Sequence, residues 1–312
     1  MTVNSVKVIQ DSINTSGDRM ITYEIETYRY IWAEVLTHKQ LVKNAQSSRA
    51  VPVKSVLGIN EIDPVTPIVW GKNQGGMSAS EVLEGENLEK AKDIWNEAAI
   101  AAFGYSKKLA ELQLAKMWAN RITEPFSRIK AVISGTEWEN FEWLRDDPEA
   151  AQPEIVDLAR KIKQAKAESE PLLLFAGEMH VPYVGRERDS YGTMLKYFVE
   201  QADGSKLYLT HEEAMKISTS CNGQVSYRKL DDSYEKALGI YERLFNGAKP
   251  HYSPAEHVAI AMQSTKAGII DRLFPQFWET GVSHMDKNRN FWSAGLKGFI
   301  QYRKLLELGF YK

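Results

Sequence analysis

Alternation of apolar and polar residues at the start of the chain is the feature that most constrains the fold. Val3 to Ile9 and Met20 to Ile25 alternate with the period of strands, and Asn14 to Asp18 between them has the residues of a turn. Further along, Glu81 to Arg121 contains no proline and repeats apolar residues at helical spacing. This predicts one long helix, or a pair broken at Gly104, that serves as a core scaffold. Together, the patterns predict an α+β fold.

Later segments add helices and a strand. Apolar residues repeat at helical spacing in Thr136 to Arg145 and again after Pro153, and packing in the core is the default explanation for both stripes. Leu172 to Tyr183 predicts a buried strand followed by a turn. Glu178 and His180 could suggest a metal pair, but no third ligand follows at the spacing of a metal site, so we expect no bound metal.

Composition places the chain among ordinary globular proteins. Its 312 residues have a formal net charge of −2, with 43% hydrophobic and 26% charged residues. Without a broad basic field we expect no nucleic acid polymer as partner, whereas a single nucleotide needs only a local cationic pocket. The one cysteine, Cys221, excludes an internal disulfide framework and suits a reducing compartment. No signal peptide and no membrane-spanning run are visible, so we expect a cytoplasmic protein.

The polar run from Leu36 to Pro52 has the composition of a binding site. Upstream, Tyr28 to Val42 has the period of an amphipathic helix, which places Glu34 and His38 one turn apart. Residues 45–49 would form a loop after this helix, where side chains must hold any anion because a helix C-terminus repels phosphate. The side chains suited to that task are those of Ser47, Ser48 and Arg49. The alternative is a solvated loop whose polar residues satisfy one another.

A second polar cluster, PHYSPAEH, runs from Pro250 to His257. Its His251, Glu256 and His257 could be metal ligands, but their spacing fits no zinc motif. Ser253 followed three residues later by Glu256 also forms a capping box, which needs no ligand. Both a site and a helix start are therefore compatible with this cluster.

Thr37 to Ala50 resembles a signature of the flavin-dependent thymidylate synthases, R-H-R-x-x-S-x-N-E-x-S-x-R-Y. The family's preceding S-R-x-x-x-x-Q resembles the stretch from Tyr28-Arg29 to Glu34. The matching signature positions are His38, Asn44, Ser47 and Arg49. The departures are Thr37 and Lys39 in place of two arginines, Ala45 in place of the glutamate, and Glu34 in place of the glutamine.

Other motifs of the family resemble segments elsewhere. Pro250 to His257 is similar to G-H-x-S-P-F-E-H. Three weaker similarities involve Thr136–Arg145 with N-x-R-S-L-x-x-F-x-x-L-R, Ala151–Ile155 with A-Q-W-E-I, and Ser218–Tyr227 with A-R-V-S-Y. The segment from Pro250 to His257 follows the R-H-R-like signature here, whereas its counterpart precedes the signature in the family. This order resembles a circular permutation. The aromatic and basic tail, residues 262–312, lies outside the resemblance and would close over a pocket or form a subunit contact.

The resemblance implies a fold, a reaction and its cofactors. The fold would be a single mixed α/β domain over residues 1–312, with a layer of long central helices packed on an antiparallel or mixed sheet. The reaction would be the reductive methylation of dUMP to dTMP with FAD, and NADPH and 5,10-methylenetetrahydrofolate would be co-substrates. A homotetramer is implied as well, and the T-H-R variant with S-S-R-A-x-P resembles phage-encoded members.

The resemblance also implies roles for individual residues. Arg145 would be the catalytic residue that polarises the pyrimidine, a route that needs no thiolate from Cys221. Nucleotide binding would involve Glu34, Ser47, Ser48, Arg49 and Arg121. FAD binding would involve Thr37, His38, Lys39, Asn44, Asn140, Ser226, His251, Ser253 and Glu256.

Two alternatives stay open. The same scaffold could carry a pyrimidine nucleotide hydroxymethylase or another nucleotide-modifying enzyme. The chain could also be a non-catalytic nucleotide-binding protein, in which the missing arginines and glutamate mark a decayed site.

Overall fold

A mixed sheet lies at the centre of the computed structural model, which describes residues 3–75, 79, 81–226, 230–247 and 249–311. Its strands are β1 (Ser5–Asn14), β2 (Arg19–Tyr28), β3 (Val42–Ala45), β4 (Arg128–Gly135) and β5 (Leu172–Leu174). They lie in the order β3-β4-β2-β1-β5, and all neighbours are antiparallel except β1 and β5. The hairpin predicted at the start of the chain is therefore confirmed as β1 and β2.

Helices fill the connections and, with the sheets, confirm the α+β class. Their bounds are α1 Trp32–Leu36, α2 Val53–Ile62, α3 Gly85–Glu111, α4 Lys116–Arg121, α5 Glu139–Arg145, α6 Pro153–Glu168, α7 His211–Gln224, α8 Tyr234–Phe245, α9 Ile269–Leu273 and α10 Tyr302–Glu307. Within the described residues, none of them combines the length and the apolarity needed to cross a membrane.

The long helix α3 lies largely outside the core, so the prediction of a core scaffold at Glu81 to Arg121 was wrong. It runs through Gly104 without a break, and Ile94 and Ile100 on it are exposed. The helix that covers the main sheet is α6, which begins at Pro153 as predicted. The fully buried side chains of its stripe are Ile155, Leu158, Ala159 and Ile162. Periodicity showed that both segments are helices, but only packing decides which of them is buried.

The predicted helix from Tyr28 to Val42 is confirmed only in part. A 3-10 turn at Arg29–Ile31 leads into the short α1, and the chain then enters β3. Val42 lies opposite Ser134 of β4, so pairing with a strand ninety residues away overrides the local helical period. The loop of residues 46–52 consequently follows a strand, and the argument from a helix C-terminus does not apply to it.

The smaller sheets contribute to a second hydrophobic core, separate from the one that contains α6. Their strands are β6 Met179–His180, β7 Gly185–Arg188, β8 Leu195–Glu200, β9 Lys206–Leu209, β10 Ala259–Ala261, β11 His284–Met285, β12 Phe291–Ser293, β13 Leu296–Lys297 and β14 Phe299–Gln301. The sheet β14-β10-β6 ties the tail to the rest of the chain. Phe299 and Tyr302 are fully buried, so this part of the tail belongs to the core and does not form a lid.

The two cores meet at the main sheet, because its two faces pack against different partners. Ile21, Tyr23 and Ile25 of β2 belong to the core that contains α6. Met20, on the other face, belongs to the second core, together with residues of α7, α8 and the smaller sheets. Since successive side chains of a strand alternate between faces, Thr22 also points toward the second core.

Candidate functional site

A cavity of about 510 Å³, which we call the first cavity, brings the two polar clusters of the sequence together. The polar residues that line it are Lys43, Asn44, Ser47, Arg49, Ser226, His251 and Ser253. A backbone hydrogen bond of 3.1 Å from Ser47 N to the Ser226 carbonyl joins the loop after β3 to the end of α7. No carboxylate is among its described lining residues, so the cavity is suited to an anion.

Three of these side chains have polar groups left for a ligand. The exposed Arg49 guanidinium forms no ion pair within the described part of the chain. Asn44 is buried, and its amide nitrogen has no hydrogen-bond partner there. Lys43 donates to the carbonyls of His38 and Leu41, the latter at 2.7 Å. Burial, helped by the nearby Lys39, lowers the Lys43 pKa to about 8, so the ammonium is still mostly charged at neutral pH.

Arg145 forms a cluster with the start of the polar run, outside the first cavity. Its guanidinium donates to Glu34 Oε2 at 3.0 Å, to His38 Nε2 at 2.9 Å and to Thr37 Oγ1 at 3.2 Å. The His38 ring packs edge-on against Phe141 at 4.8 Å between centroids. Because arginine only donates, His38 accepts at Nε2 and must carry its proton on Nδ1. Burial, then Arg145 and Lys43, lower the His38 pKa to about 4, which keeps the ring neutral.

Lys43 connects this cluster to the first cavity, since it lines the cavity and bonds the His38 carbonyl. Lys43 is not among the predicted site residues, because it occupies a position where the family signature allows any residue. A lysine on a strand next to the matched Asn44 was the only available signal. Lys43 thus links two other cations, since it lines the first cavity with Arg49 and bonds the residue, His38, that accepts from Arg145.

Several predicted site residues lie elsewhere. The Ser48 hydroxyl donates to Glu124 and accepts from Arg29 at 3.3 Å, away from the first cavity. Arg121 is half exposed, and its nearest carboxylate is that of Glu124 at 3.9 Å. The exposed side chains of Lys39 and Asn140 do not line the cavity.

Glu256 is also outside the lining, because it pairs with Arg303 of α10. The capping box predicted for Ser253 and Glu256 is not formed. The segment Ser253–His257 is a 3-10 turn that begins after Tyr252 without a side-chain cap. A complete capping box instead joins Thr210 and Glu213 at the start of α7.

Behind the first cavity, His257 ends a buried chain of hydrogen bonds. The chain runs from Arg186 to Ser12 at 2.7 Å, Ser12 to His180 at 2.7 Å, His180 to Thr22 at 2.8 Å, Thr22 to Ser134 at 2.6 Å, and Ser134 to His257 at 2.8 Å. Ser12, Thr22 and Ser134 come from β1, β2 and β4, and Thr22 and Ser134 are direct partners across the sheet. No sequence pattern marks these small residues, because a strand's own residues do not show which neighbours it will face.

The donor at one end fixes only the first hydrogen bond of this chain. Arg186 is buried and can only donate, so Ser12 accepts from it. A hydroxyl has a second lone pair as well as its hydrogen, so the contacts from Ser12 through His180, Thr22 and Ser134 to His257 Nδ1 are compatible with either direction. His257 Nε2, beyond the last contact, has no hydrogen-bond partner among the described residues. Burial lowers the His257 pKa to about 3, and burial with Arg186 and His257 lowers the His180 pKa well below its usual value.

Comparisons with known proteins give a partial likeness. No family model matches the chain, and no curated protein is significantly similar to it. Similar solved structures include the UMP/dUMP methylase PolB from Streptomyces cacaoi bound with 5-Br dUMP, at 12% identity and a TM-score of 0.42, covering 55% of this chain and 92% of that chain. They also include the flavin-dependent thymidylate synthase ThyX from Helicobacter pylori with FAD and dUMP, at 20% identity and a TM-score of 0.32, covering 47% and 67%.

Proposed function

We propose that the chain is an enzyme that modifies the base of a pyrimidine deoxynucleotide monophosphate, by reductive methylation of dUMP to dTMP. The observation that carries the proposal is the convergence of residues from the two polar clusters, some two hundred positions apart, on one cavity without a described carboxylate. Asn44, Ser47 and Arg49 match the family signature, and His251 and Ser253 match its H-x-S-P-x-E-H segment. A shared ligand explains better than chance why both segments line the same cavity.

The nucleotide phosphate would be held by Arg49 and Ser47. A guanidinium and a hydroxyl on one loop supply several donors to phosphate oxygens, and charge-assisted hydrogen bonds of this kind are the strong ones. Lys43 of β3 adds a second positive charge to the cavity lining. Ser48 and Arg121 would support this loop indirectly, because both contact Glu124 outside the first cavity.

Arg145 would act on the base. A cation aimed at a pyrimidine carbonyl stabilises the negative charge that develops there, which is worth most where water is excluded. Its side chain is largely buried, and the neutral His38 holds the guanidinium without adding charge of its own. Glu34, where the family has glutamine, pairs with Arg145 and would have to share it with the substrate. Cys221 takes no part, since it is buried in the second core and burial raises the pKa of its thiol.

The residues around the first cavity fit a flavin cofactor in one testable respect. The buried Asn44 amide needs an acceptor, and His251 and Ser253 add polar groups beside it. When bound, FAD would supply the reducing equivalents from NADPH, while methylenetetrahydrofolate would supply the carbon unit. Asn44, His251, Ser253 and Ser226 would hold its polar groups. Thr37, His38, Lys39, Asn140 and Glu256 stay as candidates on the resemblance alone.

One observation favours a second candidate, a non-catalytic nucleotide-binding protein. The charge of Arg145 is already neutralised by Glu34 at 3.0 Å, and its other donors have partners in His38 and Thr37. Such an arginine could be purely structural. The replacement of the family's glutamine by Glu34 is then the change that silenced the site.

The visible absorption spectrum of the purified protein, followed by mass analysis of its product from dUMP, separates these functions. A flavin spectrum and dTMP support the proposal, a product heavier by one oxygen indicates a hydroxymethylase, and a colourless, inert protein supports the second candidate. Arg145→Ala should then lower turnover more than dUMP affinity, because the contact strengthens in the transition state. Equal loss of both would assign Arg145 to simple binding.

We also propose that residues 1–312 act as one catalytic unit and assemble as a homotetramer. Pairing of β14 with β10, whose other edge pairs with β6, supports the first part, because it builds the tail into one sheet with an earlier part of the chain. Light scattering of the purified protein measures the second part, and a monomeric mass would contradict it.

A further inference from the structure

The loop between β3 and α2 also forms part of another cavity, of about 390 Å³, which we call the second cavity. Gln46 and Val51 of the loop line the second cavity, whereas Ser47 and Arg49 line the first. None of the described residues lines both cavities. One short segment therefore separates two places where a ligand could bind.

Arg29 is the most unusual group in the second cavity. Its side chain is 12% exposed, yet the guanidinium makes one long hydrogen bond, 3.3 Å to Ser48 Oγ, among the described residues. The nearest carboxylate, Glu124, is 3.7 Å away and accepts a hydrogen bond from the Ser48 hydroxyl. A guanidinium has five N–H donors, so most of those on Arg29 are left for the cavity that it lines. A largely buried cation with so few partners is costly unless a ligand completes them.

Three more donors from different elements face the same space. Lys130 of β4 is half exposed, and its closest carboxylate is Glu26 at 3.5 Å. Gln46 accepts from the Lys130 backbone at 3.2 Å through its oxygen, which leaves its amide nitrogen without a described acceptor. Ser55, in the first turn of α2, adds an exposed hydroxyl.

The neighbouring Arg128 shows what a structural arginine in this cavity is like. It donates to the Asp63 carbonyl at 2.6 Å, pairs with the Asp63 carboxylate and lies 3.6 Å from Glu26. Both arginines are similarly buried, at 13% and 12% exposed side chain, but one is saturated and the other is not. Arg128 therefore has a structural role, whereas Arg29 has donors left for a ligand.

We propose that the second cavity binds the phosphate group of a second ligand, distinct from the nucleotide in the first cavity. Arg29, Lys130, Gln46 and Ser55 offer donors to its oxygens, and Glu26 is the one carboxylate among the described lining residues. Val56 and Ile59 form an apolar wall for the group that carries the phosphate. Because one loop lines both cavities, a ligand in the second cavity also restrains the segment that presents Arg49. The proposal does not depend on the reaction assigned to the first cavity.

Calorimetric titration with inorganic pyrophosphate at fixed, low ionic strength tests the proposal on the full chain. The unchanged protein should bind two equivalents, and Arg29→Gln should weaken one of them by about 10- to 100-fold. Arg49→Gln is the matched control, which should weaken the other equivalent and leave the first. Competition with dUMP or NADPH in Arg49→Gln then identifies whether a mononucleotide or a dinucleotide carries the phosphate.

A second variant protects the test from a folding defect, because Arg29 is buried. Lys130→Gln changes a half-exposed side chain and should weaken the same equivalent by about 3- to 10-fold. Binding of one equivalent, lost in Arg49→Gln and unchanged in Lys130→Gln, would overturn the second site while leaving the first cavity intact. Loss of both equivalents in Arg49→Gln alone would also overturn it.

Discussion

The two ends of one short segment, residues 251–257, place the same residue types in opposite surroundings. His251 and Ser253 line the first cavity, and their side chains make no hydrogen bonds with other described residues. His257, at the other end, is fully buried, and its Nδ1 forms a hydrogen bond of 2.8 Å with the Ser134 hydroxyl. A ligand can reach the first pair, whereas the second histidine belongs to the core.

The difference shows how burial separates binding from packing. A buried polar group must find a partner within the protein, or it loses its hydrogen bonds to water at a cost of about 1–3 kcal/mol. The chain from Arg186 to His257 meets that requirement at every contact between five strands and a turn, and only His257 Nε2 at its end has no described partner. The side chains of the first cavity do not meet it, which leaves their hydrogen-bonding capacity for a ligand.

Lowering the pH should first destabilise the buried hydrogen-bond chain that contains His180 and His257. Because His180 and His257 have pKa values below that of an unfolded histidine, the unfolded chain takes up protons before the folded chain does. Their contribution to stability is complete above about pH 6.5 and is lost as the pH falls below it. His257 alone should cost about 2 kcal/mol between pH 6.5 and pH 4.5, and His180 adds a loss of the same sign. Urea unfolding across this range measures the change.

His251 and His257 provide a matched pair for this measurement. His257→Gln removes one titrating group and should flatten the dependence by about 1.4 kcal/mol per pH unit. His251→Gln should leave it unchanged, because that side chain is exposed. Equal slopes in the two variants would show that burial of His257 does not control its protonation.

Removing the central hydroxyl of the buried chain should have the next largest effect. Thr22→Val keeps the shape but leaves His180 Nε2 without a partner and removes one of the two partners of Ser134, so we expect a loss of about 2–4 kcal/mol of unfolding free energy. Thr22→Ser should restore most of it. Ser253→Ala, on the cavity side, should cost less than about 0.5 kcal/mol. A Thr22→Val protein as stable as its parent would remove the distinction between the two sides.

On the cavity side, Arg49→Ala should change binding and not stability. Loss of a charge-assisted contact with phosphate corresponds to about 1.5–3 kcal/mol, or roughly 10- to 150-fold weaker dUMP binding. FAD titrated separately should bind as before. Arg272→Ala is the control, since that exposed side chain does not line the cavity and should change dUMP affinity by less than about twofold. If Arg121→Ala weakens dUMP binding more than Arg49→Ala does, the phosphate lies on the other side of the loop.

The smallest effect is expected at Cys221, a core residue in the helix whose Gly223 reaches the first cavity. Cys221→Ala removes a small buried group and should cost about 1 kcal/mol of stability. Turnover of dUMP should stay within about twofold, because no thiolate is used. A thousandfold loss in a folded variant would assign the chemistry to the thiol.

Particular elements show where sequence reasoning succeeded. The hairpin β1–β2 and the helix α6 were predicted because each has one strong period and clear boundaries, the turn around Gly17 and the proline at 153. The helical period around Val42 was misleading, since β4 supplies backbone partners that a local pattern cannot contain. The position of α3 was missed for the same reason, because periodicity does not say whether a partner surface exists.

The sequence by itself determined the α+β class, the local elements with strong periods, and the residue types available for binding an anion. Only the tertiary structure decided that Asn44, Ser47 and Arg49 meet His251 and Ser253 in one cavity, that Ser48 faces away from them, and that His257 is a core residue. The physical reason is that periods and turn residues act over a few positions. Burial and hydrogen-bond pairing depend on neighbours that are distant in the chain, and they decide which polar side chains remain free for a ligand.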